Sequence, residues 1–199
     1  CIKGGFDHWR FRYDNILTAG RMTTTGHVLG EGVGLRQCLE AVKDAFYQAE
    51  YAGLACAIKN CGIGNGLEEI SDTRLKVVAS DRIELYHGWT EMGQGIHTVA
   101  RQVLCEVLGL DGSVQIDVKC CTGAGARGGV TTASWGTVLM GNSVILAAQK
   151  LKADLKDRLL ADLVGKEYFA RFLVDWTTDH NMAVEIVSHF SYEYATHLT

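Results

Sequence analysis

Residues 88–98 read Gly88-Trp89-Thr90-Glu91-Met92-Gly93-Gln94-Gly95-Ile96-His97-Thr98. The stretch follows a predicted strand and leads directly into a predicted helix. Glycines let the backbone turn sharply and approach a ligand, and the first turn of a helix presents backbone N–H groups that have no partner within the helix. This pattern predicts an anion site suited to a phosphate, although a tight turn without a ligand explains it equally well.

A second glycine-rich loop covers residues 122–129, and Thr131, Thr132 and Ser134 follow it where another helix is expected to start. Hydroxyl groups at a helix start either cap backbone N–H groups or bind a phosphate, and this segment alone does not separate the two interpretations. Two such loops, each preceded by an alternating strand and each opening a helix, favour one anionic ligand shared between them.

The rest of the chain predicts a mixture of helices and strands. Helices are predicted where apolar residues recur every three or four positions, over residues 35–50, 99–108 and about 135–157. Strands are predicted at 51–58, 73–79, 82–87, 114–118, 168–176 and 183–195. Ser80-Asp81 would turn a hairpin whose inward residues are Leu75, Val77, Ile83 and Leu85. This order favours an α+β fold, with mixed sheets and packed helices, over regular βαβ winding.

The composition argues against several classes of protein. The chain of 199 residues has 19 basic and 23 acidic side chains, a net charge of −4, and no basic patch, so no nucleic-acid partner is expected. No apolar run reaches the roughly 18 residues that span a bilayer, and the amino terminus does not resemble a secretion signal. Seven cysteines without metal-site spacing favour buried free thiols, no metal site and a reducing, cytoplasmic compartment.

Two features suggest that the chain is not a complete natural protein. It begins with Cys1, and it has no proline where average usage would give about ten. Truncation explains the first feature, whereas the second favours an edited, designed or unusually selected sequence. The last residues, 192–199, also read as a strand that is cut in mid-course.

The run Glu91 to Thr98, followed by Gln102 and Leu108-Gly109-Leu110, resembles the molybdenum-cofactor-binding region of xanthine dehydrogenases and aldehyde oxidases. Other stretches agree in the same order, at residues 7–15, 25–26, 34–35, 38–41, 60–66, 131–134 and 189–196. The resemblance covers nearly the whole chain, and its specific parts are Met-Gly-Gln-Gly and Thr-Thr-Ala-Ser. The glycine-rich stretch at 62–66 is most similar to xanthine dehydrogenases.

The resemblance implies the cofactor-binding part of a xanthine dehydrogenase-like oxidoreductase. In this family a molybdopterin, sometimes extended to a cytosine dinucleotide, carries a molybdenum centre that hydroxylates a heterocycle or aldehyde with oxygen from water. The expected substrate of the full enzyme is a purine or related heterocycle. Iron–sulfur clusters and FAD would lie on partner subunits or domains. The alternatives are an aldehyde oxidase-type molybdenum hydroxylase and a noncatalytic α+β module that retains the motif.

The resemblance also assigns residues. It implies that the cofactor is bound by Met92, Gly93, Gln94, Gly95, Thr132, Ala133 and Ser134. Glu91 and His97 are expected to be structural, because a carboxylate directly beside a phosphate would repel it. Residues 35–165 would form the cofactor-binding core, between a leading segment at 1–34 and trailing strands at 166–199.

The chain also departs from the family pattern. The family's general base, a glutamate near the end of the subunit, has no match here, nor do its glycine-phenylalanine-glycine loop and its substrate-orienting arginine. We therefore expect no catalytic residue and no activity from this chain alone. Val130 stands where the family usually has proline, and Trp135 where arginine is frequent. A proline would fix φ before the second helix, so its loss leaves the shape of that loop open.

Overall fold

The computed structural model describes residues 1–63, 67–121, 123, 125–174 and 185–199. The chain forms two compact units, one from residues 1–67 and 176–199 and the other from residues 68–175. The helices are α1 (His8–Asn15), α2 (Leu35–Gln48), α3 (Ile96–Leu108) and α4 (Gly141–Asp154). The strands are β1 (Leu54–Cys61), β2 (Glu69–Ala79), β3 (Arg82–His87), β4 (Gln115–Lys119), β5 (Glu167–Val174) and β6 (Ser191–Leu198). These elements confirm the predicted α+β class.

In the first unit, α1 and α2 contact each other, and α2 packs on an antiparallel pair of strands, β1 and β6. The pair runs from Leu54 opposite Leu198 to Cys61 opposite Ser191. Its core contains Trp9, Leu39 and Leu54. The predicted strand at 51–58 is real but begins three residues later, and residues 64–66 of the predicted glycine-rich loop lie outside the described residues.

The sequence pattern did not predict a helix at the first aromatic residues. Trp9, Phe11 and Tyr13 lie on α1, which Asp7 caps by accepting a hydrogen bond from Arg10 N. Residues four apart share a helix face, so Trp9 stacks on Tyr13 with ring centroids 4.6 Å apart. Phe11 is 43% exposed.

The second unit contains a four-stranded sheet in the order β4-β3-β2-β5. The predicted hairpin is confirmed as β2 and β3, and all four of its predicted inward residues are fully buried. Helix α4 packs on β2 and β5 and also contacts α3, which lies against β4. Gly109 ends α3 in the left-handed conformation, with φ of 71°, which confirms its predicted role as a C-terminal cap.

The position of the two glycine-rich loops follows from the pairing of β3 with β4. These two strands are parallel, whereas the other strand pairs among the described residues are antiparallel. Parallel neighbours end at the same edge of a sheet, so the loop after β3 and the loop after β4 leave that edge side by side. This edge is also where open α/β sheets bind their ligands.

Within the described residues, no helix is long and apolar enough to cross a membrane. The three segments predicted from the resemblance, 1–34, 35–165 and 166–199, stay a prediction.

Candidate functional site

The two glycine-rich loops meet at Gly88 and Gly128. A Cβ atom added to Gly88 would overlap the backbone nitrogen of Gly128 and lie 2.5 Å from the carbonyl oxygen of Ala126. A Cβ atom on Gly128 would in turn collide with the backbone of Gly88. Only glycine fits such a close approach of two backbones, so these two residues join the loops without an intervening side chain.

The first loop satisfies its own backbone donors. Oε1 of Glu91 accepts hydrogen bonds from Gly93 N at 2.8 Å and Gly95 N at 3.0 Å, and Oε2 accepts one from His97 N at 3.2 Å. The N–H groups of Gly95, His97 and Gly93, in that order, lower the pKa of the Glu91 carboxyl. The Glu91 carboxylate therefore occupies three donors that were expected to bind a phosphate, and this contact gives Glu91 a structural role.

Gln94 folds back onto the same loop. Its Oε1 accepts a hydrogen bond from Met92 N at 2.6 Å, and its Nε2 donates to the carbonyl oxygen of Thr90 at 2.7 Å. Gly93 and Gly95 have φ of 103° and 82°, which is the left-handed region that glycine adopts without strain. The loop is thus rigid before any ligand arrives, and it exposes the side chains of Met92 and Gln94.

A pair of histidines supports the start of the first loop. Nδ1 of His87 accepts a hydrogen bond from Trp89 N at 3.1 Å, so the proton of a neutral His87 lies on Nε2. That nitrogen lies 3.1 Å from Nδ1 of His97 and donates to it. Burial, and secondarily the electrostatic effect of the neighbouring His97, lowers the pKa of His87 to about 4. His87 is therefore neutral at pH 7 and holds Trp89 in place.

The second loop has a strained backbone. Ala133 and Ser134 have φ of 46° and 57°, in the left-handed region that residues with a Cβ rarely adopt. Such strain persists only where the surroundings enforce it, and it concentrates at functional sites. Trp135 N donates to Thr132 O at 2.9 Å, and a π-helical segment, Gly136–Met140, then leads into α4. The predicted helix therefore begins with π geometry, which also occurs often at functional sites.

The hydroxyl groups of the second loop differ from the donors of the first. Among the hydrogen bonds of the described residues, none involves the side chain of Thr132 or Ser134. Neither hydroxyl caps the following π-helical segment, whose N-cap residue is Trp135 and which has no side-chain cap hydrogen bond. Both hydroxyl groups are therefore available to an oxygen-rich ligand.

A buried carboxylate fixes the approach to the second loop. Asp72 accepts two hydrogen bonds from Arg171, at 2.7 and 3.1 Å, and its backbone N–H donates to Arg127 O at 2.8 Å. Burial opposes the charge, but the donors of Arg171 and the backbone N–H of Arg127 outweigh it and lower the pKa of Asp72. Arg127 is thereby tied to β2 one residue before the contact between Gly128 and Gly88.

Two tryptophans were missed as site residues by sequence reasoning. Trp89 and Trp135 are almost fully buried, and their indole N–H groups donate to Ser71 and Glu69 of β2. Their rings flank Gly129, where a Cβ atom would lie 3.1 Å from Trp135 and 3.2 Å from Trp89. The sequence did contain a signal for them, because Trp89 lies two residues before Glu91 and Trp135 directly follows Thr131-Thr132-Ala133-Ser134.

In the described part of the chain, no three His, Cys, Asp or Glu side chains are grouped closely enough to hold a metal ion.

A comparison with known protein families identifies the family of this chain. The sequence profile described as "Molybdopterin cofactor-binding domain" matches residues 38–177, which is more than half of the chain. The chain belongs to the molybdopterin cofactor-binding domain family. This match confirms the predicted family and the predicted molybdopterin cofactor. No curated protein matches the chain.

Solved structures share the fold of this molybdopterin cofactor-binding domain. The aldehyde oxidoreductase of Desulfovibrio gigas superposes with a TM-score of 0.74 at 20% identity, covering 99% of this chain and 24% of that one. The aldehyde oxidoreductase of Desulfovibrio desulfuricans ATCC 27774 gives 0.69 at 18% identity, with the same coverages. Quinoline 2-oxidoreductase of Pseudomonas putida 86 gives 0.66 at 15% identity, covering 99% and 32%. The chain thus spans a quarter to a third of these proteins.

Within the molybdopterin cofactor-binding domain, all seven predicted cofactor residues lie in the second unit, on the two loops that touch at Gly88 and Gly128. Met92, Gly93, Gln94 and Gly95 lie on the first loop, and Thr132, Ala133 and Ser134 lie on the second. The assignment of these residues to the cofactor stays a prediction.

Proposed function

We propose that this chain holds the molybdopterin of a molybdenum hydroxylase through the two loops at the shared edge of β3 and β4. The observation that carries the proposal is the backbone contact between Gly88 and Gly128, which joins two loops that the family match assigns to a cofactor-binding domain. When bound, the cofactor supplies a molybdenum centre that transfers water-derived oxygen to an organic substrate.

The second loop would bind the phosphorylated end of the cofactor. Thr132 and Ser134 offer hydroxyl groups that make no other hydrogen bond among the described residues, and each is both a donor and an acceptor. Ala133 is small and lies between them, so the cofactor can approach the backbone closely. A phosphate oxygen is a strong acceptor, which makes these hydroxyls suitable partners.

The first loop would position the pterin. Gln94 uses one amide hydrogen on Thr90 O and keeps a second for a ligand, while Met92 presents an exposed apolar side chain. Gly93 and Gly95 would leave room for the ring system to approach. Glu91 would act indirectly, because its carboxylate is already occupied by three backbone N–H groups of the loop.

For the complete enzyme we place aldehydes first as the substrate class. Two of the similar structures are aldehyde oxidoreductases, and they superpose more closely than quinoline 2-oxidoreductase does. A purine or related heterocycle is the second candidate, supported by the likeness of residues 62–66 to xanthine dehydrogenases. Residues 64–66 lie outside the described part of the chain. We also propose iron–sulfur and flavin partners, from the family resemblance, and a cytoplasmic location, from the odd number of cysteines.

Substitution of one residue from each loop tests the cofactor assignment. We expect Gln94→Ala and Ser134→Ala, in the full chain purified from a host that makes molybdopterin, to lower molybdenum and pterin content per chain by about tenfold, the effect of one lost hydrogen bond to a charged group. Both side chains lie on the loops and not in the hydrophobic core, so the Tm should change little. Gln149→Ala, an exposed substitution on α4, is the matched control.

Metal analysis and pterin fluorescence give the decisive outcomes. Unchanged occupancy in both variants would show that these residues do not hold the cofactor. A wild-type chain that contains neither molybdenum nor pterin would instead favour the noncatalytic module. Turnover of aldehydes or of purines by the longer protein that contains this chain separates the two substrate classes.

A further inference from the structure

We infer that Trp89 and Trp135, with their acceptors Ser71 and Glu69 on β2, are positioning residues that set the distance between the two cofactor loops. This inference rests on the proposed function, because it assigns these four residues a role in holding that same ligand. None of them belongs to the predicted cofactor-binding set.

Trp135 connects the second loop to β2. It directly follows the strained pair Ala133 and Ser134, and its indole Nε1 donates to Oε1 of Glu69 at 2.7 Å. Glu69 is fully buried and Trp135 is 3% exposed. A side chain fixed at both its backbone and its ring tip leaves Ser134, the residue before it, little freedom to relax out of the left-handed region.

Trp89 makes the equivalent connection for the first loop. Its backbone N–H donates to His87, and its Nε1 donates to the hydroxyl of Ser71 at 2.9 Å. The ring is fully buried. The residue immediately after Gly88 is thereby held at two points.

The two acceptors stand on one strand at a fixed spacing. Glu69 and Ser71 are two residues apart on β2, so both side chains point to the same face of the sheet, about 7 Å apart. Both rings approach Gly129 closely, and a side chain at that position would collide with them. The distance between the loops is consequently determined by the geometry of one strand.

Hydroxyl groups extend the support of Ser71 to α4. The hydroxyl of Ser143 lies 3.0 Å from that of Ser71 and 2.7 Å from that of Thr73, and it donates to Met140 O at 2.9 Å. Met140 is the last residue of the π-helical segment that follows the second loop. The same network therefore contacts the helix start behind the second loop as well as the tryptophan of the first.

The chemistry of these acceptors favours positioning over stability. A buried carboxyl and buried hydroxyls cost free energy when they leave water, and apolar residues of similar volume would give comparable stability. Hydrogen bonds add direction, which apolar packing lacks. Glu69, Ser71, Thr73 and Ser143 form a fully buried polar group inside an otherwise apolar core, directly beneath both loops.

The test compares substitutions in the full chain, purified from a host that makes molybdopterin. Trp135→Phe keeps an aromatic ring but removes the N–H donor, and we expect pterin content per chain to fall about tenfold. Glu69→Gln keeps an acceptor oxygen and should retain at least about half of the wild-type content. Tyr168→Phe is the matched control, because it removes a donor to Asp154 at 2.8 Å in the same unit, away from both loops.

A second arm keeps the test decisive if Trp135→Phe folds poorly. Glu69→Met removes the acceptor at similar length, and the double variant Trp135→Phe/Glu69→Met should lose no more pterin than Glu69→Met alone, because that substitution already removes the bond from Trp135. Hydrogen exchange of residues 125–134 should accelerate in these variants and remain unchanged in Tyr168→Phe.

The outcomes separate this inference from the proposed function. A loaded wild type, with pterin content lowered in Trp135→Phe and retained in Glu69→Gln and Tyr168→Phe, supports the positioning role. A loaded wild type with equal content in Trp135→Phe or Glu69→Met overturns the inference and leaves the proposed function standing. A wild type without pterin overturns the proposed function, and the positioning role with it.

Discussion

The two glycine-rich loops share one sequence pattern but have opposite hydrogen-bonding states. In the first loop, Glu91 occupies three backbone donors and Gln94 closes the loop on itself. In the second, Thr132 and Ser134 keep their hydroxyls free of hydrogen bonds among the described residues, on a backbone with left-handed residues. The polar groups of the first loop are largely satisfied by the loop itself, whereas the second loop retains hydroxyl groups that can form hydrogen bonds with a ligand.

This difference shows that a glycine-rich turn before a helix does not by itself define an anion site. The Glu91 carboxylate accepts from N–H groups two, four and six residues later, and it fills donors that a phosphate would use. The informative quantity is the number of donors left after local side chains have been counted. By that measure, the second loop is the better phosphate site and the first a rigid neighbour.

The largest expected effect comes from separating the loops. Gly88→Ala places a Cβ atom against the backbone of Gly128 and Ala126, which cannot move aside as a flexible side chain can. We expect the free energy of unfolding to fall by about 3 kcal/mol and pterin content to be lost. Gly141→Ala is the control, because a Cβ atom there meets open space within a helix. Urea denaturation and pterin content measure both effects.

If Gly88→Ala unfolded at the same urea concentration as Gly141→Ala, the close approach of the two loops would be wrong. If Gly88→Ala were destabilised but retained its pterin, the backbone contact between the two loops would not be required for binding the cofactor.

A pH titration tests the first loop separately from the second. The pKa of His87 is lowered from 6.5 to about 4 by burial, so the folded state binds fewer protons than the unfolded state between these values. The contribution of neutral His87 is fully present above pH 6.5 and is lost as the pH falls towards 4, by about 3 kcal/mol.

His87→Gln removes the titrating ring and should flatten this dependence. Urea denaturation of the wild type and the variant at several pH values provides the measurement. Equal slopes in the two proteins would contradict a buried, neutral His87 beneath the first loop.

The smallest expected effect concerns the strain of the second loop. Ser134→Gly relieves a left-handed backbone, and we expect the free energy of unfolding to rise by about 1 kcal/mol. Pterin content should fall at the same time, because the hydroxyl is lost. A higher free energy of unfolding together with a lower pterin content would indicate a strained ligand site. In a strained turn with no ligand role, the free energy of unfolding would rise and the pterin content would not fall.

The sequence predicted the elements with local signals more accurately than those with distant partners. The hairpin of β2 and β3, helix α3 with its Gly109 cap, and the buried positions Leu75 and Val77 all follow from periodicity and turn chemistry. The helical state of Trp9 and Tyr13 was missed, because an i, i+2, i+4 aromatic pattern fits a strand as well as a helix. The signal that decides it is the capping Asp7.

The site was predicted only in part, for a physical reason. The motifs locate both loops on the chain, but the contact of Gly88 with Gly128 depends on the parallel pairing of β3 with β4, which no local pattern encodes. The roles of Glu69 and Ser71 were also hidden, because polar residues at the start of a strand usually face solvent. Sequence reasoning assigned Glu91 a structural role from electrostatic repulsion, and its capping of three N–H groups gives that role a geometry.

The two partners of β2 have a consequence for the order of folding. Within the described residues, β3 pairs with β2 only from Thr73 onward, whereas Glu69 and Ser71 pair with β5, about 100 residues later in the chain. The hairpin of β2 and β3 closes a short loop and forms early. The pairing of β2 with β5 closes a much longer loop, which costs more entropy, and forms later. A chain emerging from the ribosome therefore holds Trp89 and Trp135 through Ser71 and Glu69 in their final positions only after Val174 has paired with β2.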